Sequence, residues 1–189
     1  MKKVKVVGAL VLTLNLLTAV TATAGPVLDR ILKRGELVVG TTGNYPPLTA
    51  RTKDGKIIGL DADLSMIMAE AMGVKLRFET MPIQELLSAL KAGRIDMIIS
   101  GMTITPKRNL KVAYVGPYYI SGKGILTKSA TLATLQDASA INEAGVTLVA
   151  IRSTTSQVFV EEVTPKAKIM IADTPSDALA LLVEDKADA

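Results

Sequence analysis

From residue 36 to residue 184 the chain alternates short apolar, β-branched runs with longer stretches whose apolar residues recur at helical spacing. That alternation confines it to an α/β architecture of βαβ units around a largely parallel sheet. Residues 26–34 carry Val27, Leu28, Ile31 and Leu32 on one helical face and stop at Gly35. A strand is expected over 36–41 and a loop over 42–47. A helix follows over 60–72, closed by Gly73, with Asp61 and Asp63 near its start, where carboxylates suit the helix dipole. A strand over 74–80, a helix over 82–92 and a strand over 95–100 complete the first half.

The second half repeats the style. Extended segments are expected over 114–119 and 122–127, strands over 146–151 and 168–172, and helices over 154–163 and 175–184. The best division into lobes lies near residues 119–124, giving a first lobe over 25–119 and a second over 120–189. Lys186-Ala187-Asp188-Ala189 parallels Gly93-Arg94-Ile95-Asp96, the turn that enters the last strand of the first half. A strand should therefore begin there, and a longer protein, of which this chain is a fragment, is the expectation.

The junction after residue 99 is the chemically richest stretch. The run Ile95-Asp96-Met97-Ile98-Ile99, bounded by Gly93 and Gly101, reads as a buried strand, and ligands of α/β folds sit at the carboxyl ends of strands. There stand a small residue (Gly101), three hydroxyls (Ser100, Thr103, Thr105), Pro106 and the cation Arg108. Amides, hydroxyl donors and a guanidinium fork are the parts that hold a carboxylate. The same letters also suit a strand followed by a helix N-cap at Thr105, with Arg108 on a solvated face.

The first 24 residues read as a signal peptide. Lys2, Lys3 and Lys5 form a positive start, residues 6–20 are almost wholly apolar, and Ala22-Thr23-Ala24 gives a small-residue cleavage pattern, so the mature chain is expected to begin at Gly25 and to reside in a bacterial periplasm. Without those three lysines, 19 basic residues face 18 acidic ones, and the net charge of +4 falls to +1. A nucleic-acid partner therefore has no electrostatic support. The sequence contains no Cys and no His, which removes disulfides, Cys or Ser-His nucleophiles and zinc sites of the usual kind within this chain; no metal and no cofactor is expected.

With these motifs in place the chain resembles the periplasmic solute-binding proteins of amino-acid ABC transporters, family 3. Gly59-Leu60-Asp61-Ala62-Asp63-Leu64, followed by Met68-Ala69 and Met72, is similar to that family's signature helix, and Ser100 to Arg108 is close to its usual loop. The resemblance implies a two-lobed periplasmic-binding-protein-like fold of type II, incomplete at the C-terminus, that closes on its ligand like a hinge. It implies a monomer that binds an amino acid or similar carboxylate and serves the membrane permease of an ABC importer, without being an enzyme. By the same resemblance Arg108 clamps the ligand carboxylate, helped by Thr103 and the backbone at Ser100 and Gly101. Tyr45 packs on the ligand's side chain, and Thr154 and Thr155 meet the carboxylate from the second lobe.

Departures from the pattern are informative. Ser153 stands where a Gly is usual, and Leu48 and Ile83 where aromatics are common. The family's acid for the ligand ammonium falls beyond Ala189, so this chain by itself is expected to bind weakly or not at all. An alternative on the same fold is a cyclohexadienyl (arogenate/prephenate) dehydratase, which residues 28–32 and 41–45 resemble. Thr42 stands where binders of basic amino acids tend to carry an acid, and Arg152 adjoins the second-lobe loop, either as a solvated charge or facing the ligand. A neutral polar or acidic ligand is the resulting expectation.

Overall fold

The computed structural model describes residues 25–135, 137 and 141–189; the signal-peptide segment 1–24 lies outside the described residues. Helix α1 (Pro26–Arg34) ends at Gly35, whose left-handed backbone and N–H bonds to Ile31 and Leu32 close it. Strand β1 (Glu36–Thr41) is next, then three short strands β2 (Asn44–Tyr45), β3 (Thr49–Arg51) and β4 (Ile57–Ile58), helix α2 (Leu60–Met72), strand β5 (Lys75–Thr80), helix α3 (Ile83–Lys91) and strand β6 (Met97–Ile98). The first sheet has the order β5-β1-β6, all parallel.

β1 is buried on both faces, which is why it reads as an unbroken apolar run. Leu37 and Val39 pack with Ile31, Ala69 and Ile99 beneath α1 and α2, while Val38 packs with Leu86, Ala89 and Ile95 beneath α3. The ladder bonds Asp96 N–H to Val38 O (2.8 Å) and Ile99 N–H to Gly40 O (3.2 Å) carry the pairing beyond β6 itself, along the strand expected over 95–100. The Asp96 carboxylate, fully buried, accepts from the Val38 amide (2.9 Å), from Arg30 (2.8 Å) and from Arg34. One acid thus ties α1 to the centre of the sheet.

The second sheet pairs β7 (Thr147–Ile151) with β8 (Lys168–Ala172) in parallel, covered by α6 (Thr155–Val163) and α7 (Pro175–Val183). In the chain between β6 and β7 come two four-residue helices, α4 (Pro106–Asn109) and α5 (Ala130–Ala133). The second unit repeats the first in its sequence of strands and crossovers. Asp188 N–H donates to Thr147 O (2.8 Å) and Val149 N–H to Ala189 O (2.9 Å), so the last two residues run beside β7 as residues 96–99 run beside β1. The Asp188 carboxylate accepts from Thr147 N–H (2.7 Å), as Asp96 does from Val38.

The correspondence is offset by one from the sequence comparison. Asp185, at φ 55°, takes the left-handed place of Gly93 at φ 71°, and Lys186 N–H bonds Leu181 O as Arg94 N–H bonds Ala89 O. Two other expectations differ. The loop over 42–47 contains β2, which pairs antiparallel with β3; a two-residue strand carries no periodicity from which to read it. Residues 110–129 hold no helix or strand, and among the described residues the extended segments at 114–119 and 122–127 join no sheet. Among the described residues no helix is long and apolar enough to cross a membrane.

Candidate functional site

The two parallel sheets turn their carboxyl ends toward one cleft of about 330 Å³. Its wall is built from the segments at the strand ends: Thr42 and Tyr45 after β1, Ile83 after β5, Ser100 to Arg108 after β6, Thr154 and Thr155 after β7, and Asp173 after β8. This is where an α/β sheet presents unpaired backbone and helix N-termini to a ligand. Tyr45, Ser100, Gly101, Thr103, Arg108, Thr154 and Thr155 all line this cleft.

The parts they offer differ from residue to residue. Arg108 comes three residues after the N-cap Thr105, whose hydroxyl accepts from the Arg108 amide (3.2 Å), so the cap expected at Thr105 is present while Arg108 lines the cleft rather than a solvated face. Its guanidinium donates to Thr103 O (2.9 Å) and, across the cleft, to Ser153 O (2.9 Å). Two backbone carbonyls fix the fork, and three of its five N–H donors remain for another acceptor.

Ser100 is buried, and its Oγ accepts from the Thr42 amide (3.0 Å), locking the ends of β1 and β6 together. Gly101 has φ 56°; a Cβ there would stand 2.6 Å from Leu48 Cδ1 and 3.2 Å from the Tyr45 ring. Its N–H donates to the Tyr118 hydroxyl (3.0 Å). Gly101 therefore allows the close approach of Tyr45, and its amide is bonded to Tyr118.

Thr154 is the N-cap of α6: its hydroxyl accepts from Gln157 N–H (3.3 Å) and donates to Ile151 O (2.7 Å). With that hydroxyl committed, the second lobe's offering is the first turn of α6, whose N–H groups at Thr155 and Ser156 have no partner within the helix. Thr155 Oγ1 accepts from Lys123 Nζ (3.0 Å), and burial lowers the Lys123 pKa. Lys123 was not singled out in the sequence; it lies in a stretch without periodicity, and only the fold brings it to α6. Ser153 adopts φ 61°, the conformation that makes Gly usual at this position.

Arg108 and Asp173 are the charged side chains on the wall among the described residues. Arg152 pairs with Asp173 (2.6 Å), so its charge is answered locally rather than facing a ligand, and one of the two reasons for expecting a non-cationic ligand is removed. Asp61, read as a dipole partner, is wholly buried and accepts from Tyr118 Oη (2.9 Å). No group of three or more His, Cys, Asp or Glu side chains able to hold a metal occurs among the described residues.

Known proteins show the same build. Cyclohexadienyl dehydratase of Pseudomonas aeruginosa is 32% identical over 85% of this chain and 60% of its own length. A probable amino-acid ABC transporter-binding protein of Haemophilus influenzae is 30% identical over 88% of this chain and 63% of its own. The chain thus spans about three-fifths of the length of these relatives. The crystal structure of the ancestral amino acid-binding protein AncCDT-1, a precursor of cyclohexadienyl dehydratase, superposes with a TM-score of 0.81 at 36% identity, over 85% of this chain and 72% of that one. Residues 37–186 match the family model of bacterial extracellular solute-binding proteins, family 3. The chain, with its paired parallel sheets of the type II periplasmic-binding-protein fold facing one cleft, belongs to that family.

Proposed function

We propose that this chain belongs to an extracytoplasmic receptor, resident in the periplasm, that binds a small amino acid or similar carboxylate and delivers it to the permease of an ABC importer. In this reading residues 25–119 form the first lobe and 120–189 the second, the receptor acts as a monomer, and it catalyses no reaction. The observation that carries it is Arg108, whose fork is fixed by one carbonyl from each side of the cleft and faces the open first turn of α6. A guanidinium and a helix N-terminus, aimed from opposite walls, hold a carboxylate only when the lobes are together. That is how ligand binding favours closure.

In this reading the ligand's side chain meets Tyr45, Ile83 and, at the rim, Asp173, whose charge Arg152 answers from outside the cleft. Calorimetric titration of the full-length mature protein with the common L-amino acids tests the reading: saturable binding of one or a few, with no chemical change in the ligand, is expected, and no binding by any of them refutes it. A second reading, a cyclohexadienyl dehydratase, is favoured by the 32% identity to such an enzyme and by the resemblance over residues 28–32 and 41–45. Formation of an aromatic product with release of carbon dioxide on incubation with arogenate or prephenate decides for it.

A further inference from the structure

A buried carboxylate without a cation stands directly behind the cleft. Asp61 lies in the first turn of α2 with no exposed surface. Its Oδ1 accepts from Tyr118 Oη (2.9 Å), and its Oδ2 meets no hydrogen-bond geometry among the described residues. Burial raises its pKa, opposed by the Tyr118 hydroxyl and the Gly101 amide. Such a group costs stability, so what it holds in place matters. It holds Tyr118. With its proton given to Asp61, the Tyr118 oxygen is oriented to accept, and it takes the Gly101 N–H at 3.0 Å. Gly101 is the left-handed residue of the cleft loop, pressed against Tyr45 and Leu48, and Tyr118 belongs to the stretch crossing between the two sheets.

The geometry points to Asp61 and Tyr118 as positioning residues of the cleft: the Asp61 carboxylate orients the Tyr118 hydroxyl, which holds the Gly101 amide and sets the loop that carries Thr103 and Arg108. The relay joins three separate pieces of the chain, the α2 N-terminus, the cleft loop and the crossing segment, at one hydroxyl. A change in the crossing segment is therefore felt at the loop. The binding part of this inference rests on the receptor reading; the structural part does not.

The test uses mature protein labelled with ¹⁵N-glycine, in which Gly35 and Gly73, whose amides bond within helix caps, are references for the Gly101 amide. In Tyr118→Phe, Gly101 exchange should quicken by about 10-fold or more relative to those references. Affinity for whichever of L-glutamine, L-glutamate, L-lysine and L-arginine binds wild type most tightly should weaken by about 5- to 100-fold. Asp61→Ala should behave alike, whereas Asp61→Asn, whose carboxamide oxygen still accepts from Tyr118, should keep Gly101 protected. Unchanged Gly101 exchange in Tyr118→Phe, or equal quickening at all three glycines, overturns the inference, as does lost protection with unaltered affinity. If wild type binds none of the four, that failure belongs to the ligand reading, and the exchange pattern still decides the relay.

Discussion

Replacing Arg108 by Ala removes three things at once: the bond to Thr103 O, the bond across the cleft to Ser153 O, and the donors left for a ligand carboxylate. The first two are charge-assisted but lie at an open cleft, where water replaces the lost donor and each contributes about 1 kcal/mol or less to stability. The melting temperature of the ligand-free variant should therefore move little. The third loss is larger. A carboxylate enclosed between the lobes without its counter-charge costs on the order of 2 to 5 kcal/mol, which is about 30- to 4,000-fold in Kd. Arg108→Lys keeps the charge but cannot reach two carbonyls and a carboxylate together, so it should fall between. Calorimetry with the cognate amino acid, beside a thermal melt without ligand, separates the effects. An unchanged Kd in Arg108→Ala would refute the anchoring role, and a Kd loss matched by a collapse in apo stability would show that Arg108 acts by holding the fold.

Asp96→Asn should destabilise the protein by about 2 kcal/mol in urea titration, the low end for a buried ion pair, because Arg30 and Arg34 are part-exposed and screened. Although burial pushes the Asp96 carboxyl up, the Val38 amide and the two guanidiniums outweigh it and hold its pKa below the usual 3.8. The unfolded chain therefore takes up the proton first, so this stabilisation is present above pH 3.8 and drains away as pH falls through the folded value; the Asn variant should lack that part of the acid limb. Ser153→Gly relieves a left-handed non-glycine residue and should raise stability by about 0.5 to 1 kcal/mol while leaving the Ser153 carbonyl for Arg108. A loss of stability in that variant would mean the Ser153 side chain makes a contribution the backbone does not reveal.

The elements that were legible in the sequence are those with periodicity and punctuation. α1, α2 and α3 carry apolar spacing and stop at or near Gly35, Gly73 and Gly93, and β1 reads as buried on both faces because it is. The cleft residues were legible through the Ser100 to Arg108 loop and the Thr154 cap, since hydroxyls, Pro and Arg at fixed offsets leave a local trace. What stayed hidden depends on distant pairing. Asp61 and Tyr118 are 57 positions apart, and neither reveals the other; at a helix start an Asp that caps and an Asp that is buried look alike. Lys123 and Arg152 have meaning only through Thr155 and Asp173, which the fold brings beside them. The bond from the Gly101 amide to Tyr118 was hidden for the same reason: its partner comes from another segment.

The most direct test of the central claim is a crystal structure of the mature protein with its tightest-binding amino acid. The ligand carboxylate should lie within hydrogen-bond reach of the Arg108 guanidinium on one side and of the Thr155 and Ser156 amides at the start of α6 on the other, with Tyr45 against the side chain. A carboxylate bound elsewhere, with Arg108 still held by Thr103 O and Ser153 O alone, would contradict it.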